Sequence, residues 1–296
     1  MKTLGVLEWP RFRPGNGFLQ AFAGNRAALV GLTVVGVFVL AALFAPLLVA
    51  DPYVRVGVAP LTVSPGLQRL MGTDDLGRSV LAGVLYGGRV SLTVGAVSVA
   101  ISTLIGVGIG LLAGYLGGAV DEVFMRVVEF FQVLPRFFVA LVLVAIIGSD
   151  MWVVIFVIAI LSWPLTARLI RAEVLSLRER DFVQSARLLA APTWYVAFIE
   201  ILPNALAPVV VNASLEVGRA ILTEASLSFL GLSDANNPSW GAMLAYGQPL
   251  MRQAWWLSVF PGAAIVLVVL GFNLIGDGLN HALNPRRDAV ASPPMA

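Results

Sequence analysis

Few side chains in this 296-residue chain are of the types that carry out chemistry. It has no cysteine, so disulfides, thiolate metal sites and cysteine nucleophiles are absent. Its only lysine is Lys2 and its only histidine is His281, both close to the ends of the chain. These counts exclude a GxxxxGK phosphate-binding loop, an HExxH zinc site and an internal serine nucleophile paired with a histidine. No metal-ligating or catalytic set is therefore predicted.

The remaining candidates are charged residues inside otherwise apolar stretches. Glu216 and Arg219 are three residues apart, so on a helix they share one face and can form an ion pair. Glu224 lies two helical turns beyond Glu216, near the same face. A charge in apolar surroundings is costly and must pair or face a polar cavity. The spacing leaves both interpretations open: a structural ion pair, or the lining of a translocation pathway.

The composition indicates what kind of elements must position these residues. The chain is 58% hydrophobic and only 12% charged, about half the charge of a typical soluble domain. About 20 apolar residues cross a bilayer as a helix, so the pattern predicts an all-α integral membrane protein. We expect six transmembrane helices, of which the third and fifth contain charged residues, over residues 27–50, 90–120, 124–148, 151–167, 201–232 and 253–276.

Arginine and lysine predict the orientation of these spans. With the N-terminus in the cytoplasm, the inner segments hold 12 of the 19 basic residues and the outer segments hold 5. We therefore expect both termini to be cytoplasmic. The predicted organisation is an N-terminal segment (1–26), a first span (27–50), an extracytoplasmic loop (51–89), a core of five spans (90–280) with a second outer loop (233–252), and a tail (281–296).

Four glycines recur at intervals of four in the second span. On a continuous helix they form a ridge roughly 18 Å long on one face. Small residues at this spacing allow two helix backbones to approach closely, so we expect helix packing at this ridge, with a hinge as the alternative. The ridge consists of Gly106, Gly110, Gly114 and Gly118.

The stretch 168–202, here called the elbow, stays polar for more than thirty residues after the fourth span. Apolar residues interrupt it at helical spacing, among them Leu177, Phe182, Ala186 and Leu189. Pro192 should end the first helix, and Thr193 can cap a second one that ends at Pro203. This pattern predicts a helix–turn–helix with an exposed apolar tip. A solvated loop and a docking surface for a cytoplasmic partner are both consistent with it.

The elbow resembles the EAA–G–ILP motif of ABC importer permeases. The matching residues are Gln184-Ser185-Ala186, then Ala190, then Ile201-Leu202-Pro203-Asn204. Further stretches resemble the dipeptide, oligopeptide and nickel group of these permeases and point to its second, C-type subunit. They are GTDDLGR at 72–78, TEASLSFLGL at 223–232, PSWG at 238–241, AWW at 254–256 and FNLIGDGL at 272–279. Together they cover roughly residues 20–287.

This resemblance implies a type I ABC importer permease in a bacterial or archaeal plasma membrane. It implies three kinds of partner: a homologous B-type permease, two cytoplasmic ATPase subunits and an extracytoplasmic substrate-binding protein. ATP and magnesium would bind the ATPase subunits, with no cofactor on this chain and no nucleic acid as partner. The residues implied in ATPase coupling are Phe182, Gln184, Ser185, Ala186, Leu189, Ala190 and Pro192.

Three elbow residues depart from the family motif. Its glutamate is Gln184 here, its first alanine is Ser185, and its glycine is Ala190. Gln184 lacks the charge for an ionic contact with an ATPase arginine. Ala190 does not easily adopt the positive φ that glycine allows, so we expect Pro192 to end the helix instead.

A secondary transporter and an intramembrane protease are the alternatives to a permease. A secondary transporter usually has discontinuous helices in a larger repeated bundle, and an intramembrane protease needs a catalytic set that the spans lack. The cargo stays open among dipeptides, longer peptides, glutathione, nickel chelates and sugars, with peptide favoured.

In the first outer loop, Thr73, Asp74 and Asp75 are expected to cap a helix over residues 80–86.

Overall fold

A computed structural model describes residues 16–49, 56–57, 59–234 and 236–283. Regular structure in these residues is helical, and the only β pairing is two isolated bridges between residues 66 and 79. The α-helices are α1 (Asn16–Gly24), α2 (Arg26–Leu43), α3 (Ala45–Leu48), α4 (Val80–Leu116), α5 (Gly118–Val133), α6 (Arg136–Ile147), α7 (Met151–Leu177), α8 (Asp181–Leu188), α9 (Thr193–Tyr195), α10 (Leu202–Phe229), α11 (Trp240–Gly247) and α12 (Trp256–Leu283).

Four single helices are long and apolar enough to cross a membrane, namely α2, α4, α7 and α12. Two bent pairs also qualify if each is taken as one span: α5 with α6, and the stretch Thr193–Ala205 with Ala207–Phe229. The described part of the chain thus contains up to six spans, at the places where apolar runs predict them. The all-α membrane fold class is confirmed.

Side-chain caps explain where the spans begin. Asn25 accepts hydrogen bonds from two backbone amides of α2, Ser79 accepts one from Ala82 in α4, and Asp150 accepts one from Trp152 in α7. Because Ser79 is the cap, α4 begins ten residues before the predicted second span, inside the segment predicted as loop. The prediction that residues 73–75 cap a separate helix is therefore wrong.

Asp74 instead stabilises the turn that precedes this cap. Its carboxylate accepts hydrogen bonds from the backbone amides of Leu76 and Arg78. It also forms an ion pair of 2.6 Å with the Arg78 guanidinium. These bonds fix the turn before α4. The carbonyl of the neighbouring Thr73 accepts a hydrogen bond of 3.1 Å from the indole N–H of Trp256, which ties this loop to the start of α12.

The third predicted span is broken near its middle, which the sequence did not predict. α5 and α6 meet at Leu134 and Pro135 with a bend of 85°. Leu134 is extended, as the residue before a proline prefers. Glu129 and Arg136 are seven residues apart, a spacing that predicts one shared helix face, but they belong to different helices and do not share it. Glu129 pairs instead with the exposed Arg126 at 3.2 Å.

The glycine ridge of α4 packs against α7 of the same chain. A methyl group at Gly106 would lie 2.6 Å from Thr166 Cβ, and one at Gly114 would lie 2.9 Å from Val174 Cβ. At Gly110 it would lie 2.9 Å from Ile170 Cβ, so all three contacts are too close for a side chain. Gly118 does not belong to this ridge, because α4 ends at Leu116 and the chain turns through two glycines of positive φ.

Candidate functional site: the elbow and the intramembrane charges

Beyond the end of α7, the elbow forms one short helix and then a second helix that continues into a membrane span. α8 is followed by a turn, and the chain becomes helical again at Thr193. Pro192 precedes this helix, and Thr193 is its first residue rather than its side-chain cap. The helix does not end at Pro203 as predicted. It passes through a π-helical stretch, Val196–Ile201, and continues as α10, with Pro203 in the first turn.

The end of α8 corrects the expectation for Ala190. Ala190 has a φ of 56°, one of two non-glycine residues with positive φ among those described. Its N–H donates to the Arg187 carbonyl at 2.9 Å, and the N–H of Ala191 donates to the Ala186 carbonyl at 3.1 Å. This pair of bonds is the Schellman motif, which normally places glycine at this position. Alanine thus takes the left-handed conformation, and Pro192 does not replace it as the helix terminator.

Gln184 fastens α8 to the end of α7. Its side-chain amide donates a hydrogen bond to the Arg178 carbonyl at 3.3 Å. A glutamate in its ionised form has no hydrogen to donate, so this bond requires the amide. The Arg178 guanidinium in turn donates to the Gly114 carbonyl in the last turn of α4 at 3.1 Å. Gln184 therefore links α8 through Arg178 to α4, whereas the neighbouring Ser185 is exposed.

The exposed apolar tip differs from the prediction in its members. Phe182 and Ala186 are half-buried and pack against a cluster that includes Ile170 of α7 and Ile201 of the π-helical stretch. Leu189 is 83% exposed, as expected. Sequence reasoning missed Leu188, which is 88% exposed, and Trp194, which is 62% exposed. Two consecutive leucines at a helix end were the available signal for Leu188, but helical periodicity selects only one of them.

The structure brings Glu216 and Arg219 together in α10. Arg219 Nη1 lies 2.5 Å from Glu216 Oε1. The Glu216 side chain is only 7% exposed, whereas that of Arg219 is 58% exposed. The carboxylate thus lies inside the helical bundle and holds a guanidinium that projects from it.

Glu224 is buried away from that exposed surface. It accepts hydrogen bonds from Ser91 of α4 at 3.1 Å and from Ser228, one turn further along α10, at 2.7 Å. Ser91 also accepts a weak hydrogen bond of 3.4 Å from the Trp240 amide at the start of α11. A cavity of about 10 Å³, enough for one water molecule, lies beside Glu224. In this conformation Glu224 joins three helices, and sequence reasoning missed its serine partners.

Asp234 links the loops at the same end of the bundle. It accepts hydrogen bonds from the Asn237 side chain at 2.8 Å and from the Met151 amide at the start of α7 at 3.4 Å. Partial burial opposes ionisation, but these bonds and one from the Asn236 amide outweigh it and hold the pKa of Asp234 below its ordinary value. Among the described residues, no group of three or more acidic or histidine side chains could hold a metal ion.

An α-helical bundle with up to six spans, a charged pair on a span and an elbow with apolar residues at its tip define a multi-pass membrane protein of the permease class. Comparison with known proteins agrees. The chain belongs to the family described as binding-protein-dependent transport system inner membrane component, which matches residues 106–289. Residues 14–62 match the N-terminal transmembrane domain of oligopeptide transport permease C.

Three relatives cover nearly the whole chain. A dipeptide transport system permease protein of Alkalihalophilus pseudofirmus is 40% identical over 88% of this chain and 86% of its own length. A di/tripeptide transport system permease protein of Pseudomonas aeruginosa is 40% identical over 92% of both chains. An oligopeptide transport system permease protein of Bacillus subtilis is 34% identical over 90% of this chain and 87% of its own.

These matches confirm that the chain is an ABC transport permease subunit. Such subunits are non-catalytic and work in a transporter complex with other subunits, so the chain is not an enzyme. The family and the apolar helices together make it a multi-pass membrane protein.

Proposed function

We propose that this chain forms half of the translocation pathway of an ATP-driven peptide importer. Its relatives are named for dipeptide, di/tripeptide and oligopeptide transport, which supports peptides as cargo. The other half of the pathway is a homologous B-type permease. An extracytoplasmic binding protein delivers the cargo, and two cytoplasmic ATPase subunits bind ATP and magnesium.

The observation that carries this proposal is the exposed tip of the elbow. Leu188, Leu189 and Trp194 are more than half exposed. Val183 before them and Val196 after them are fully buried and hold this tip on the core. Apolar side chains held in this way on a charged, water-facing segment are typical of a protein interface. The elbow lies in the cytoplasm in this proposal, with both termini on the same side, as the distribution of arginine and lysine predicts.

Two substitutions of the same type at opposite ends of the bundle test the docking of the ATPase. Leu188→Glu places a charge in the proposed apolar contact, so the ATPase subunits should no longer co-purify and peptide uptake should fall. Leu67→Glu is the control, because Leu67 is fully exposed on the opposite loop. It should retain the ATPase subunits. Wild-type uptake by Leu188→Glu at equal membrane levels would rule out docking at this tip.

The cargo requires a separate measurement. The purified complex, reconstituted in liposomes with its binding protein and supplied with ATP, should accumulate labelled dipeptides or tripeptides. Accumulation of sugars or nickel chelates with no peptide accumulation would refute the peptide assignment while leaving the permease assignment intact.

A further inference from the structure

Arg219 places a permanent charge on the exposed face of a membrane span. It lies ten residues before Phe229, the last residue of α10, which is roughly 15 Å along the helix axis. Half the thickness of the hydrocarbon core is also about 15 Å, so Arg219 is near the middle of the membrane. The exposed face of α10 around it carries Leu222 and Ser226.

Most of the hydrogen-bonding capacity of Arg219 is unused. A guanidinium has five N–H donors and does not lose its proton. Within the described residues, its only hydrogen bond is from Nη1 to Glu216 Oε1, so Nε and Nη2 have no acceptor. Lipid tails cannot supply acceptors, and leaving several charged donors unpaired in hydrocarbon is costly. This part of α10 must therefore face a polar space.

We infer that Arg219 binds the terminal carboxylate of the peptide as it passes through the pathway. This inference rests on the peptide import proposed above and adds the chemical group that this chain recognises. The two free nitrogens of a guanidinium match the two oxygens of a carboxylate, which is the group that every unmodified linear peptide carries at its C-terminus.

The buried Glu216 sets the strength of this binding. Its carboxylate holds the guanidinium by one nitrogen and leaves the outer edge free. It also cancels most of the net charge at the site, so that a passing carboxylate is attracted without being trapped. A lone arginine in a narrow pathway would bind an anion more tightly and slow its release.

The test compares a tripeptide with its C-terminal amide in the reconstituted complex. Uptake kcat/KM for the acid divided by that for the amide isolates the carboxylate. The binding protein contributes equally to every permease variant, so a change in this ratio between variants reports on this chain. Arg219→Gln should lower the ratio by about tenfold or more, which is the size of a charge-assisted hydrogen bond to a carboxylate.

Arg126→Gln is the matched control. Arg126 pairs with Glu129 at the same spacing of three residues, but in an open groove between α5 and α7 that is also lined by Asp121 and Arg171. It should keep the wild-type ratio. Arg219→Lys should keep part of the preference, since lysine retains the charge without the two-nitrogen fork.

Each outcome decides between the possibilities. An unchanged ratio in an Arg219→Gln complex that still imports peptide overturns the inference and leaves peptide import standing. The double variant Glu216→Gln with Arg219→Gln leaves no unpaired charge and serves if the single variant assembles poorly. If Arg219→Gln, Arg219→Lys and the double variant all fail to assemble, Arg219 contacts another subunit and the inference is wrong. Failure of the wild-type complex to import any peptide refutes the proposed function itself.

Discussion

Replacing Ala190 with glycine should stabilise the elbow. Ala190 has a φ of 56°, a conformation that costs a residue with a Cβ roughly 1–2 kcal/mol. Glycine removes that cost but gains about 0.4–1 kcal/mol of entropy in the unfolded chain. The net effect is a gain of about 0.5–1 kcal/mol in the free energy of opening this turn, because the backbone hydrogen bonds of the turn are unchanged.

Hydrogen exchange measures this local free energy directly. The amides at positions 190 and 191 are the two that bond to the carbonyls of Arg187 and Ala186. A gain of about 1 kcal/mol should slow their exchange by roughly fivefold in Ala190→Gly. Ala191→Gly is the control, because Ala191 has no positive φ and packs against the elbow's apolar cluster. It should exchange faster than the wild type.

The refuting result is equal or faster exchange in Ala190→Gly. That outcome would mean that the turn does not hold Ala190 in the left-handed conformation. The turn would then not be a Schellman motif, and Ala190 would not adopt the backbone conformation of the family motif's glycine.

Three further predictions concern packing, charge and pH. Gly110→Leu should force α4 and α7 apart and cost at least 1–3 kcal/mol, lowering the yield of folded protein. Gly108→Leu should be tolerated, because nothing lies within 4 Å of a methyl group there, and equal yields would refute the ridge. Glu216→Gln should lower the yield of assembled complex more than Arg219→Gln, because a carboxylate can become neutral and a guanidinium cannot. The double variant should recover much of the loss, and additive losses would reject the pair. Because the pKa of Asp234 is held down in the folded protein, its contribution to stability is present above about pH 4 and lost as the pH falls further. The thermal midpoint of the wild type should therefore fall more between pH 5 and pH 3 than that of Asp234→Asn, and equal falls would refute this role.

Composition and apolar run length were enough to predict the fold class, because the bilayer imposes one solution on long apolar segments. The break between α5 and α6 could not be predicted in the same way. Pro164 and Pro261 lie inside the continuous helices α7 and α12, whereas Pro135 lies at a bend of 85°. The difference lies in tertiary contacts. Phe131 before the bend packs its ring against Trp163 of α7 at 5.5 Å, and Val144 beyond it packs in a cluster with Val154 and Ile158, nearer the start of α7.

The elbow was located by its sequence motif, but its detailed contacts were not predictable. The sequence indicates only the loss of a charge at Gln184, whereas its amide donates a hydrogen bond inside the chain. Glu224 was placed near the face of Glu216, and the hydroxyls that bind it come from Ser91, more than 130 residues away, and from Ser228. Polar pairing between distant segments depends on how the helices meet, which residue spacing along one helix does not report.

The length of α4 has a mechanical consequence. Its 37 residues form a continuous rod roughly 55 Å long, without an internal proline. Near one end, Arg178 of the elbow donates a hydrogen bond to the Gly114 carbonyl. Near the other, the Trp240 indole of α11 donates to the Val84 carbonyl at 2.8 Å. A stiff helix fixed at both ends cannot absorb an axial push. We therefore expect a movement of the elbow at one end of the bundle to displace α11 at the other end.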